Sequence, residues 1–363
     1  MSKTKGQYSF FDLEIQLDKI YAINNFLPKL NTLVDWEIFR EQLSQVREKD
    51  RKSNGGRPAF DVVFMFKVLV LKSMYNLSDD QTELQIRDRI SFRDFLGLTF
   101  ADTVPDAKTI WLFAEDLKNL GLERELFERF GKELDRQGFA AKGGYIVDGT
   151  FVEVPRRRLT KEENEQLKAG EVPESITSNP HVAAQTDLEA EWAKKGNETH
   201  FGFKDHVLGD EGFKLIRDYD ATGAATHDSV PYTDLMPEEP LFEGQGAYAD
   251  SAYTGAKIDT KLKERGYDPK ICEKGYRNKP LTEEQKASNR VKSKVRCRIE
   301  HIFGEQKMRM GNEVLRSIGF ARARFWIGMR NLMYNMSRLV SLMRVRTRAK
   351  RQESQTKCPQ PAK

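Results

Sequence analysis

Across residues 8–50 apolar and polar positions alternate at helical spacing, until a polar break, EKDRKSNGGRP, ends at Pro58. The next segment, FDVVFMFKVLVLKSMY from Phe60 to Tyr75, is apolar on nearly every side and long enough for a helix. That pattern predicts a buried core helix. Ser78 with Gln81 three positions on has the spacing of a capping box and predicts another helix, through about Leu96. Asp106 can cap a helix carrying Trp111, Leu112 and Phe113, and Gly121 can end it. One more helix is expected to run to about Arg136, which makes the first 140 residues mostly helical.

The pattern changes at Gly143. GGYIVDGTFVEV is short, β-rich and bounded by glycines. A polar segment, roughly Pro155 to Glu191, reads as a loop with one short helix at LTKEENEQLKAG. THFGFKDHVLGD and GFKLIRDYDATG read as two strands joined near Asp210–Gly212, a hairpin signal. HDSVPYTDLM begins a helix, and GQGAYADSAYTG is a short strand running into a turn. A helix near Lys257–Arg265 precedes another strand, YDPKICE. Two helices follow, one through RCRIEHIFGEQK and a last one from about Ala321 to Arg346. This order predicts a helical region followed by a mixed α/β domain, with antiparallel strands first and crossover helices later. The expected boundaries are 1–140 for the helical domain, 141–346 for the α/β domain and 347–363 for a disordered basic tail.

Charge sharpens the picture. From Arg290 to Arg351 there are 17 Lys/Arg against three acids, Glu300, Glu305 and Glu313, a local balance of +14. The chain as a whole carries +5, so the remainder carries −9. Such asymmetry suits a polyanionic partner, first of all nucleic acid. No run of eighteen apolar residues marks a membrane span, and MSKTKGQYSF has no hydrophobic segment of the signal-peptide kind. Cys272, Cys297 and Cys358 show neither zinc spacing nor a disulfide framework, which suits a reducing cytoplasm.

Three acids stand out by position. Asp148 follows YIV and Asp250 follows AYA, both where a strand is expected to leave the sheet, and ligand sites in α/β sheets gather at strand carboxyl ends. Glu300 lies on a helix, on one stripe with Arg296, Phe303 and Lys307, next to the apolar stripe of Val295, Ile299 and Ile302. Magnesium prefers oxygen ligands, and two such ions about 4 Å apart serve phosphodiester cleavage. Two short aspartates on strands and one longer glutamate on a helix would make such a cradle. Taken singly, an Asp before Gly is also an ordinary turn residue, and Asp before Ser an ordinary cap.

At these residues the chain resembles bacterial insertion-sequence transposases of the DDE class, in the IS-four/IS-five-type superfamily. Around the third acid that group reads Tyr-x2-Arg-x3-Glu-x6-Lys. Arg296, Glu300 and Lys307 fit its last three places, and Ser293 stands where the group has Tyr. IVDGTFVEV resembles the strand of the first Asp, and YADSAY, with Tyr253, the stretch of the second. KKGNETHFGFKDHV, with Lys204, and HDS at His227–Ser229 resemble the region between them. RPAFDVVFMFKVLVLKSMYNLSDDQTE resembles the helical domain in front of the core. The resemblance covers about residues 8 to 340. It implies a ribonuclease-H-like catalytic core and dependence on two Mg2+ ions, with Mn2+ as a substitute. Its substrates would be double-stranded DNA, both terminal inverted repeats and target, met by a homodimer in the cytoplasm at the nucleoid. Asp148, Asp250 and Glu300 would then be catalytic metal ligands, and Arg296 and Lys307 phosphate contacts.

Other residues carry two readings each. Arg156, Arg157 and Arg158 follow the first strand and can grip phosphates or sit in a solvated loop. Lys204 can face DNA or the surface. His206 and His227 can carry protons, though hydrogen-bonded structural roles are commoner. Trp326 with Phe325 and Ile327 reads as core, while Arg322, Arg324 and Arg330 are candidates for sequence-independent phosphate contact. The N-terminal helices can read DNA or form a dimerisation bundle. Two rival functions share these residues: a silent transposase-derived DNA-binding protein, and a nuclease that recognises branched DNA.

Overall fold

The computed structural model describes residues 12–47, 58–157, 159–276, 279–310 and 314–356. The chain falls into two compact units, one of Met1–Lys72, Leu77–Leu122 and Met336–Lys363, the other of Ser73–Asn76 and Glu123–Asn335.

The first unit is helical: α1 (Asp12–Ile23), α2 (Phe26–Leu33), α3 (Arg40–Ser44), α4 (Val62–Met74), α5 (Asp79–Asp88), α6 (Ile90–Leu96) and α7 (Ala107–Leu120). As its all-round apolar sequence predicts, α4 is buried along most of its length. Around it, Phe39 lies 4.9 Å from Phe66, and Trp36 meets Phe95 edge-on at 5.6 Å. Asp106 caps α7 by accepting from the Thr109 N–H at 2.7 Å, and Gly121 closes it in the left-handed region at φ 66°. Ser78 likewise caps α5 through the Gln81 N–H. The single helix expected through Leu96 is broken, because Arg89 adopts extended angles, φ −89° and ψ 115°, and α6 starts afresh after it. The polar break before Pro58 falls at residues 48–57, outside the described residues.

The second unit opens with α8 (Leu122–Leu134) and is built on a six-stranded mixed sheet. In chain order come β1 (Tyr145–Glu153), α9 (Lys161–Lys168), α10 (Glu174–Thr177), α11 (Pro180–Ala183), β2 (Glu191–Lys195), β3 (Glu198–Asp210) and β4 (Ile216–Gly223). Next are α12 (Ser229–Leu235), β5 (Gln245–Ala249), α13 (Ala256–Glu264), β6 (Tyr267–Ile271), α14 (Glu283–Met310) and α15 (Phe320–Thr356). β1 lies between antiparallel β3 and parallel β5, and β6 extends the sheet parallel to β5. β3 also pairs antiparallel with β4, the expected hairpin, and with β2 at its start. β2 was hidden in the sequence because all but one of its residues are exposed, leaving no apolar alternation to see.

One sheet face packs Tyr145, Val147, Leu208, Ala247 and Ala249 against Tyr232 and Leu235 of α12 and Leu262 of α13. Towards α14, Gly209 leaves room for the Ile302 and Ile299 side chains, the apolar stripe read from the sequence. α15 is stitched to β3 and β4 by buried polar side chains. Arg330 and Asn331 hold Asp205, each at 3.0 Å, and Asn335 bonds both the N–H and the carbonyl of Ile216. The basic segment from residue 347, expected to be disordered, continues α15 as far as Thr356. It is rich in Arg, Lys, Ala and Gln, all good helix formers, so α15 propagates through it. Residues 357–363 lie outside the described residues.

Candidate active site

Asp148 is the fourth residue of β1, and not at the strand's end as expected. The reason lies in the ladders. β3 pairs along the whole of β1, whereas the parallel ladder with β5 stops at Ile146. On the β5 edge Asp148 is therefore beyond the pairing, next to the point where β5 also ends. There Asp250 leaves the strand and caps a single turn, accepting from the Ala252 N–H at 2.7 Å.

The two aspartates feel one another. Burial pushes the Asp148 carboxyl above its ordinary range; Arg296 and the Gly149 N–H pull it down, and Asp250 pushes it up again. Arg296 of α14 reaches Asp148 with a long contact of 3.5 Å. Burial disfavours its guanidinium, but Asp148 and Asp250 outweigh that and raise its pKa. Its Nε finds no hydrogen-bond partner although buried. The site thus sets a poorly solvated Asp148 beside Asp250, with Arg296 in long contact and Asp228 close by.

Glu300 lies one turn beyond Arg296 on α14 and is exposed. Among the described residues no three His, Cys, Asp or Glu side chains stand close enough to hold a metal ion together. The structure brings together Asp148, Asp250 and Arg296 of the expected set, and Glu300 lies exposed on the same helix as Arg296. A divalent cation fits the aspartate pair: its oxygens are hard donors, and its charge would relieve a desolvated carboxylate. Lys307, also exposed, lines a cavity of about 360 Å3 together with Gly149, Phe151, Lys195 and His200. It thus stands near the strand of Asp148, as the stripe with Arg296 predicts.

The remaining candidates are scattered. Lys204 is buried, with its ammonium donating to Asp228 at 2.8 Å and to the Thr226 carbonyl at 2.7 Å, so it faces inward and not to the surface. Arg156 lies over the Trp192 ring at 5.0 Å, and Arg157 sits near the Glu163 carboxylate. Arg158 lies outside the described residues. Arg324 is exposed but set among Glu123 and Asp220, and Arg322 is half-buried. Arg330 is a core residue bound to Asp205, not a surface cation. His206 is buried against Thr222, and His227 bonds Ser229.

Reasoning from single positions did not single out Tyr253. It is fully buried, its hydroxyl has no hydrogen-bond partner, and burial together with Asp148, Asp228 and Asp250 pushes its pKa up. The spacing of YADSAY was the only signal for it.

Residues 15–116 match the family described as "Transposase domain (DUF772)", and residues 140–336 match the "Transposase DDE domain". The chain belongs to the DDE transposase family, and its function is that of a DNA transposase. It also resembles the cryo-EM structure of a piggyBac transposase synaptic complex with hairpin DNA, at 12% identity and a TM-score of 0.43, over 92% of this chain and 75% of that one. Among the described residues no helix is long and apolar enough to cross a membrane.

Proposed function

We propose that this transposase hydrolyses a phosphodiester at each end of its own element and transfers the freed 3′-hydroxyl into target DNA. Its core is read as ribonuclease-H-like. Support comes from the strand path β4-β3-β1-β5-β6, antiparallel up to β1 and parallel beyond it. The observation that carries the reading is the juxtaposition of Asp148 and Asp250 at the adjoining edges of β1 and β5, with Arg296 over them. Asp148, Asp250 and Glu300 are the residues to hold two Mg2+ ions, or Mn2+ in their place. The ions would supply charge for activating water and for stabilising the leaving oxygen.

The chain's own groups do the rest. β1 and β5 fix both aspartates on rigid backbone. Arg296 offers a fork of donors to a phosphate once a cation takes over Asp148. Lys307, at the mouth of the cavity beside Gly149, holds the next phosphate along. Terminal inverted repeats and target duplex are the partners, with a homodimer bringing two ends together in the cytoplasm, at the nucleoid.

The test is cleavage of the inverted-repeat DNA flanking the gene. Wild-type protein should nick it only with a divalent cation present, and Asp148→Asn should lower the rate by a thousandfold or more, roughly the 4 kcal/mol that such a centre supplies. Cleavage that survives Asp148→Asn would overturn the assignment. Folded wild-type protein that binds the ends and never cuts them would leave the silent DNA-binding reading in its place.

A further inference from the structure

In the helical unit a groove of about 550 Å3 runs between α2 and the last part of α15. Its floor is apolar, with Leu33, Val340 and Met343, and its rim carries Lys29, Arg344, Arg348 and Arg351. These four basic residues are exposed, and among the described residues none forms an ion pair with a carboxylate. None of the residues lining the groove is acidic, and the sequence has no acid between Val314 and Gln352. We propose that this groove is a second DNA-contact surface, separate from the aspartate centre, which grips the phosphate backbone of one strand of duplex DNA without reading its sequence. The inference rests on the transposase reading and adds to it the place where the helical unit holds DNA.

Spacing and charge support the assignment. Arg344, Arg348 and Arg351 advance by four and three residues, so they form one stripe along α15. At 1.5 Å per residue the stripe covers about 10 Å of helix axis. The stripe points its three guanidinium groups the same way, and their long side chains can reach neighbouring phosphates of one strand. Guanidinium forks suit phosphate oxygens, and Lys29 closes the groove from the opposite wall. An acidic protein segment would meet the same charges, but duplex DNA offers an unbroken row of phosphates to the whole stripe.

The experiment measures binding of the full chain to a random-sequence duplex as salt is raised from 50 to 200 mM. Replacing Arg344, Arg348 and Arg351 together by Gln should remove three phosphate contacts and lower the slope of log K against log salt by about 2.7. Across that range the wild type should then lose about 40-fold more affinity than the variant. A control with the same loss of charge, Lys257→Gln/Lys261→Gln/Lys263→Gln on α13, should keep the wild-type slope. The groove assignment is overturned if the arginine variant keeps the wild-type slope, or if the control loses as much as the variant does. Cleavage of the element's ends, followed in parallel, separates the two readings. Wild type that cuts ends while the arginine variant binds normally sinks the groove alone, and wild type that neither binds nor cuts duplex sinks both.

Discussion

At the scale of the residue, burial is the main force on the polar side chains around β1 and β3. It raises Asp148 and Asp205 and lowers His206, whose pKa falls to about 4. For His206, Asp228 pulls the value up and Lys204 pulls it down, and these two are ion-paired to each other, so desolvation decides. The imidazole should therefore be neutral at any pH where DNA is cut, which argues against a proton-carrying role. The linkage has a definite sign. Between pH 6.5 and about 4 the unfolded chain takes up a proton that the native site refuses, so stability falls as pH falls through that window. The full loss is on the order of 3 kcal/mol, at 1.36 kcal/mol per pH unit. Following the imidazole protons by NMR should show His206 untitrated from pH 8 to 5.5, and a midpoint near 6.5 would contradict the burial argument. Nothing local in FKDHVLGD announces any of this. The sequence gives the alternation along β3 but not which partners other elements bring, so Lys204 reads as a surface cation until Asp228 is seen beside it.

At the scale of the element, local signals were legible where one physical effect dominates. The apolar run of α4, the Asp106 and Gly121 caps of α7, and the hairpin of β3 and β4 all follow from periodicity and turn chemistry. What was not legible depends on partners distant in sequence. Asp148 was read as a strand end because Gly149 looks like a turn residue, yet β3 keeps β1 extended to Glu153. Arg330 was read as a phosphate contact because it follows Arg322 and Arg324 in a basic helix. Its guanidinium is instead the counter-charge of Asp205, which is itself completely buried. This pairing makes a sharp prediction about α15. Arg330→Met preserves the bulk of the side chain but leaves the Asp205 carboxylate with Asn331 alone. Breaking a buried pair from one side costs roughly 3–5 kcal/mol, whereas Arg330→Met combined with Asp205→Leu should recover most of that. Chemical denaturation of the three proteins checks it. A single variant as stable as wild type would mean that Asp205 is protonated in the native state and needs no counter-charge.

At the scale of the whole molecule, the strongly basic 290–351 segment and the acidic remainder divide the work. Under the proposed function Arg296 and Lys307 in the first would meet phosphates, while Asp148 and Asp250 in the second would meet the cation together with Glu300 from the first. The three acids lie 102 and 50 residues apart in sequence. Asp148 lies within β1, Asp250 directly follows β5, and Glu300 sits on the exposed side of α14. Cation binding without DNA should therefore need the two aspartates, and catalysis should need Glu300 as well. Asp148 is destabilising when ionised, because its native pKa lies above the unfolded one: the unfolded chain releases the proton first as pH rises, and stability drops from there upward. A divalent cation at the pair should recover that cost and add binding energy, about 2.7 kcal/mol at a hundredfold excess over its Kd. Adding Mn2+ to the protein without DNA should accordingly raise the thermal midpoint of the wild type. Asp148→Asn and Asp250→Asn should each abolish that rise. Glu300→Gln should keep it, since Glu300 is exposed and is not among the charges that shift Asp148, and should still lose end cleavage if it joins the cations only once DNA is engaged. If Glu300→Gln removes the Mn2+ stabilisation as completely as Asp148→Asn, then Glu300 already shares the cation with the aspartates before DNA binds, and the site does not assemble in two stages.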